Sequence, residues 1–323
     1  MNKIRLSVAI AMLSIAGCKS TPVNDVQSFA DTTQTSQSQI NTLISEYNNA
    51  AVEEKLLEIA YKNQKISTLD LDQAQQKKLG KTEPLYTLVV MNNALGAYVR
   101  SLSALSTAGN QEKVELAVGQ LNSSLINLDA NYQALTDKEP LFSKEKNSQI
   151  ASIVASILQA RAEKRRNEHI EKIVTAANPE IQIMIDKAIA LIKTRKFEAA
   201  IKDHRNEQLL VVINDYNNSR GPRSSNEERK EKLDRIYEMY SEKITITQEI
   251  KTAIKQLELI KKGHSKLLDV FKDEENQVKE LRTTIAYLKG INDRQSALET
   301  LYSSCESHIV LDKGQITCKD DNH

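Results

Sequence analysis

Apolar residues recur at alternating intervals of three and four residues over the last third of this chain. The spacing holds at sixteen positions, of which thirteen are apolar: Ile236, Met239, Lys243, Ile246, Ile250, Ala253, Leu257, Ile260, His264, Leu267, Phe271, Glu274, Val278, Leu281, Ile285 and Leu288. A seam with this period is typical of helices that pack side by side as in a coiled coil. It predicts a long helical arm over residues 225–304. A single helix over the seam would be about 80 Å long at ~1.5 Å per residue.

Two adjacent residues interrupt the seam. Gly263 is the expected weak point, where the helix bends or divides, because glycine costs about 1 kcal/mol in a helix interior. His264 is a seam position, where a polar residue either fixes the register of the packed helices or faces a gap.

The rest of the chain also favours helices. Only 9 Gly and 5 Pro occur among 323 residues, so few turns are available and long helices follow. Residues 38–218 are predicted to form a helical bundle, with Asn178-Pro179 starting one of its helices. The predicted fold class is therefore all-α, an elongated bundle of about six helices with one coiled-coil-like arm.

The first seventeen residues divide into the three zones of a secretory signal peptide. Lys3 and Arg5 form a short positive region, and an apolar stretch of ten residues follows from Leu6 to Ile15. The stretch is far shorter than the ~20 residues that a membrane-spanning helix needs. The next residues are small and are followed at once by a cysteine, in the sequence Ile15-Ala16-Gly17-Cys18.

This segment resembles the signal peptide and lipobox of bacterial lipoproteins. The resemblance implies that residues 1–17 are removed and that Cys18 carries the lipid. The lipid would attach the protein to a membrane, since two or more acyl chains give a stable hold. Lys19 stands where Asp typically marks inner-membrane retention, so the resemblance places the body in the periplasm, anchored to the outer membrane. The polar residues 18–37 are predicted to form a flexible tether.

Cys305 and Cys318 are the two cysteines that remain beside Cys18. In an oxidising periplasm, a pair with this short spacing indicates a disulfide. Closing so short a loop stabilises by roughly 3 kcal/mol in the chain-entropy model. Short β-prone runs around Asp312-Lys313-Gly314 predict a small hairpin, so residues 305–323 are expected to form a disulfide-closed tip.

Composition weighs against several classes of function. Cleavage removes Lys3 and Arg5 from 44 basic and 43 acidic residues, so the mature chain is near neutral and is not expected to bind nucleic acid. Aromatic residues make up 4% with no Trp, which leaves few stacking platforms for sugars or single strands. The five histidines lack a zinc-like spacing, and no nucleophile or phosphate-binding motif occurs. We therefore predict no catalytic residues, no metal site and no cofactor.

These features favour a non-enzymatic role. The expected function is an envelope scaffold or adaptor, which reaches an unidentified protein partner through helical, coiled-coil contacts. The alternative is a self-contained periplasmic regulator or inhibitor of an enzyme or secretion component. The seam separates the two: a seam packed within the chain indicates a closed module, whereas an exposed seam requires a partner to cover it.

Overall fold

A computed structural model defines residues 23–61, 66–76, 84–136, 140–159, 163–218, 225–271, 275–305, 308–312 and 315–319. Within these ranges, nine helices precede a two-stranded antiparallel hairpin. The elements are α1 (Val23–Tyr61), α2 (Thr68–Gln76), α3 (Pro84–Thr107), α4 (Gln111–Thr136), α5 (Lys144–Gln159), α6 (Glu163–Ile192), α7 (Arg195–Asn218), α8 (Asn226–Phe271), α9 (Glu275–Ser304), β1 (His308–Asp312) and β2 (Gln315–Lys319). The predicted all-α bundle is confirmed, with more and mostly shorter helices than expected.

Helix α1 is central to the bundle and contacts α3, α7, α8 and α9. Arg282 of α9 donates to Asp25 at 2.7 Å, and Gln39 of α1 donates to Ser296 at 3.1 Å. These two contacts, at opposite ends of the shared length, show that α1 and α9 run parallel. A single hydrophobic core extends from Val26 to Leu288 and includes residues of α1, α3 to α6, α7, α8 and α9.

The heptad seam is divided between two helices. Helix α8 ends at Phe271 and α9 begins at Glu275, and they run antiparallel, as the ion pair between Lys266 and Glu280 (2.8 Å) shows together with the bond from Gln256 to Asn292 (3.0 Å). From Ile246 onwards the seam residues with described side chains are largely buried in the common core. The expected boundary between a bundle over 38–218 and an arm over 225–304 therefore does not appear in the packing.

The heptad seam divides after Phe271 and not at Gly263, where a bend or division was expected. Helix α8 continues through Gly263, where a Cβ atom would lie 2.5 Å from Cε2 of Phe29. Glycine is required there because the ring of α1 packs directly on the backbone of α8. Similarly, α6 runs through Pro179, so Asn178-Pro179 does not start a helix as predicted.

The predicted flexible tether over residues 18–37 is wrong for residues 23–37, which form the first part of α1. Several polar side chains of this segment are buried beside its apolar ones, and some of them bond to amides of neighbouring helices. Asn292 donates to the Thr32 carbonyl at 3.0 Å, and Ser36 donates to Asn292 at 2.9 Å. Gln37 and Asn92 of α3 exchange side-chain to backbone bonds at 3.0 and 2.9 Å. Buried polar groups paired in this way avoid the cost of desolvation.

The C-terminal tip has the predicted form. Strands β1 and β2 pair antiparallel, with Ile309 opposite Cys318. A disulfide joins Cys318 to Cys305, which directly follows α9, and their Cα atoms are 5.5 Å apart. The bond therefore fastens the hairpin to the end of α9. Among the described helices, none has the length and apolar character that crossing a membrane demands.

Candidate interaction surface

The structure brings only one pair of the predicted site residues together, Cys305 and Cys318. Residues 1–17 and Cys18, the predicted lipid attachment site, lie outside the described residues. His204 pairs with Glu54, and His264 is enclosed in the core. Within the described part of the chain, no group of three or more His, Cys, Asp or Glu side chains could hold a metal ion.

His264 is the centre of a buried hydrogen-bonded chain that joins three helices. Its Nδ1 lies 2.8 Å from Oδ1 of Asn178 on α6, and its Nε2 lies 3.1 Å from the hydroxyl of Tyr98 on α3. An amide oxygen only accepts, so Nδ1 carries the proton and Nε2 accepts from Tyr98. This role agrees with the predicted one, a polar seam residue that fixes register.

Burial keeps the His264 and Tyr98 side chains neutral. The His264 side chain is 0% exposed, and desolvation lowers the pKa of its imidazole to about 3. Desolvation likewise raises the pKa of the Tyr98 phenol far above its ordinary range. A proton-transfer pair must reach a substrate, and these two groups are enclosed by packed helices. The hydrogen bonds among Tyr98, His264 and Asn178 thus position α3, α6 and α8 relative to one another.

A shallow cleft of about 860 Å³ lies between α3 and α4, where Gln34 of α1 also contributes. Small side chains line most of it, including Ala97, Ser101, Ala104, Gly119 and Ser123. No buried charged group points into this cleft from the residues that line it. Arg100 and Glu115 also line the cleft, and both are exposed, so it is an open polar groove between two helices.

The exposed surface of α8 carries a more distinctive feature. Leu233, Tyr237, Tyr240 and Ile244 follow one another at intervals of four, three and four residues, so they lie on one face. Their exposed fractions range from 46% for Leu233 to 72% for Tyr237. We call these four residues the distal stripe. Scattered apolar residues are normal on protein surfaces, whereas an aligned row marks an interaction site.

The neighbouring helix α7 extends this face. Lys243 of α8 donates to Asn206 at 2.7 Å, and Lys232 pairs with Asp215 at 3.3 Å. The register is antiparallel and places Leu210 of α7 level with Tyr237. Leu210 is itself exposed, so the apolar surface spans two helices.

The sequence prediction missed the distal stripe, although its signal was present. The heptad seam passes through Ile236 and Met239, which are half-buried on the side of α8 that faces α7. Tyr237, Tyr240 and Ile244 of the distal stripe have the same three-four spacing, each one position after a seam residue. A search for every apolar row on the helix, and not only the longest, would have found it.

Comparisons with protein-family models, with curated proteins and with solved structures found no match to this chain.

Proposed function

We propose that this protein is a non-enzymatic lipoprotein of the bacterial envelope that acts as a membrane-anchored adaptor. The observation that carries the proposal is the distal stripe, an aligned apolar face at the far end of α8 from the start of α1. The lipobox at Cys18 supports the anchor, because it supplies a lipid next to that start. The proposed location is the periplasmic side of the outer membrane.

The length of α8 supports a position of the distal stripe away from the membrane. Phe29, near the start of α1, packs on Gly263, near the end of α8. Tyr237 lies 26 residues earlier on the same helix, about 40 Å away at ~1.5 Å per residue. Only residues 19–22 separate Cys18 from α1, a span of at most about 18 Å. The anchor would therefore hold one end of the bundle close to the bilayer and present the distal stripe away from it.

The anchoring part is tested by labelling cells with a fatty-acid analogue. The wild type should take up label and fractionate with membranes, and Cys18→Ser should lose both. Cys305→Ser with Cys318→Ser is the control for loss of cysteine in general and should keep both. Membrane association of the Cys18→Ser variant without label would refute the lipid anchor.

A closed periplasmic regulator or inhibitor is the second candidate, and the packing of the heptad seam favours it. From Ile246 onwards, the seam contributes to the common core, so it is not left for a partner to cover. The two functions differ in their need for the anchor. A regulator released by Cys18→Ser still acts on a periplasmic target, whereas an adaptor no longer connects its partner to the membrane.

A further inference from the structure

We propose that one end of the bundle opens as a unit while the common core stays folded, and that Arg205 of α7 is the latch that keeps it closed. We call this end the distal lobe. It comprises residues 45–61 of α1, helix α2, residues 203–218 of α7 and residues 226–245 of α8. The inference goes beyond the proposed function, because it concerns a motion of the bundle that needs neither the lipid nor a partner.

The common core ends at one level on the three long helices that continue into the distal lobe. Its outermost members on α1, α7 and α8 are Ile44, Ile201 and Ile246. Thr247 of α8 donates to Glu198 of α7 at 2.7 Å, and Arg205 of α7 donates to Glu46 of α1 at 2.7 Å. These contacts bracket the three isoleucines to within about one turn of helix, so the helices leave the core together.

Beyond this level, few of the described side chains are buried. On α8, none of the described side chains from residue 226 to residue 245 is buried. Ile59 of α1 and Leu209 and Val212 of α7 are buried, but they are not members of the common core. A segment with few buried apolar side chains opens at a lower free energy than the core that it adjoins.

Charged groups join α1 to α7 at the base of the distal lobe. The side chain of Arg205 is only 12% exposed, and it pairs with Glu46 at 2.7 Å and with Glu53 at 3.5 Å. His204, the preceding residue, is hydrogen-bonded to Glu54. One guanidinium therefore serves two carboxylates that are two turns apart on α1. Its removal would leave both carboxylates without this partner, which weakens the contact between α1 and α7.

Val212 is the natural reporter of this contact. It lies seven residues beyond Arg205, or about two turns along the same face of α7, and it is 5% exposed. Because Arg205 faces α1, an opening between α1 and α7 would bring Val212 into contact with solvent.

The test measures how fast single cysteines react with a maleimide in the full mature chain with Cys18→Ser and the disulfide intact. Val212→Cys reports on the distal lobe, and Val174→Cys is the matched control, because Val174 is a buried valine of the common core. Val212→Cys should react at least ~100-fold faster, because the distal lobe opens more often than the whole protein unfolds. Its rate should also rise less steeply with urea, since partial opening exposes less surface.

Variants of the latch assign the effect to Arg205. Arg205→Met keeps an apolar stem without the charge, and it should speed the labelling of Val212→Cys by ~10-fold or more. The labelling of Val174→Cys should change by less than ~2-fold. Lys202→Met is the matched control, because Lys202 pairs with Glu198 at 2.6 Å within α7, and it should change either rate by less than ~2-fold.

A milder variant covers the possibility that Arg205→Met does not fold. Glu46→Gln removes one carboxylate charge from the latch, and it should speed the labelling of Val212→Cys by a smaller factor than Arg205→Met. The comparison of the two reporter cysteines in the parent chain also does not depend on the stability of Arg205→Met.

Three results would overturn the proposal. Equal rates and equal urea dependence for the two reporters in the parent chain would show that the bundle opens only as a whole. Equal acceleration of both reporters by Glu46→Gln or by a folded Arg205→Met would show that the latch stabilises the whole fold and not the distal lobe. Equal effects of Lys202→Met and Arg205→Met on Val212→Cys would show that the link to α1 is not what holds the lobe closed.

Discussion

The two halves of α8 belong to one helix and continue one heptad pattern, yet their surroundings are opposite. From Ile246 to Val270, apolar seam residues contact α1, α6 and α9 and are almost fully buried. From Asn226 to Ile244, seam residues are half-buried beside α7, and four large apolar residues of the neighbouring row are exposed. The comparison shows that periodicity identifies a packing helix but not which of its rows is covered.

Truncating one leucine in each half of α8 tests this comparison, and it has the largest expected effect on the unfolding free energy. Leu257→Ala removes a side chain that is 2% exposed and should cost about 2–5 kcal/mol of unfolding free energy, because it leaves a cavity. Leu233→Ala truncates a half-exposed residue of the same helix and should cost less than about 1 kcal/mol. Urea denaturation measures both. Equal costs would mean that the two halves do not differ as described.

The contact between Phe29 and Gly263 can be tested by adding one methyl group. Gly263→Ala places a Cβ 2.5 Å from the ring and should destabilise by about 1–3 kcal/mol, despite the better helix propensity of alanine. Gly290→Ala on α9 is the control, since its added Cβ would meet no atom within 4 Å outside the local backbone of its own helix, and it should stabilise by about 0.5–1 kcal/mol. A stabilising Gly263→Ala would show that α1 does not pack there.

Gly263 illustrates which features of the structure can be predicted from the sequence alone. Helix propensity predicts a bend or division at Gly263, and this prediction is wrong because α8 continues through that residue. The close approach of Phe29, more than 200 residues earlier in the chain, decides its role instead. A long-range contact of this kind leaves no local signal in a single sequence.

The start of α1 was mispredicted for a related physical reason. Thr32, Ser36 and Gln37 resemble the composition of a linker, and buried helices are usually apolar. Here Asn92 and Asn292, on α3 and α9, provide the matching hydrogen bonds. Because the hydrogen-bond partners lie on distant helices, the local composition of this buried segment is the same as that of an exposed one.

By contrast, the disulfide and the all-α class were predictable. Two cysteines with few alternatives for pairing, on either side of a turn sequence, specify a closed hairpin almost locally. The scarcity of Gly and Pro similarly limits the chain to long elements without reference to their packing. Features fixed by nearby residues were recovered, and those fixed by distant contacts were not.

We expect a smaller effect from His264, in the buried half of α8, which should make the stability of the protein depend on pH. The folded pKa of His264, about 3, is below its unfolded value of 6.5, so the unfolded state binds the extra proton between these values. Stability therefore rises with pH across that window, by up to about 1.4 kcal/mol per pH unit, and is lost as pH falls from 6.5 toward 3. His264→Gln removes this dependence, so its stability should approach that of the wild type as pH falls.

Urea denaturation of the wild type and His264→Gln at several pH values measures this difference. Tyr98→Phe is a useful companion, because it removes one hydrogen bond to His264 and keeps the titrating imidazole. Its stability should decrease while its pH dependence remains. Parallel pH profiles for the wild type and His264→Gln would contradict a buried, neutral imidazole.

Hydrogen exchange along α8 tests the central claim most directly, because it reports each half of the helix in the same molecule. We expect amides from Ile246 to Val270 to exchange only through global unfolding, with protection close to the full stability of the protein. Amides from Asn226 to Tyr240 should exchange orders of magnitude faster, since local opening there exposes little additional apolar surface. Equal protection over both halves, in the chain without a partner, would contradict the division of α8 into a packed core segment and an exposed interaction segment.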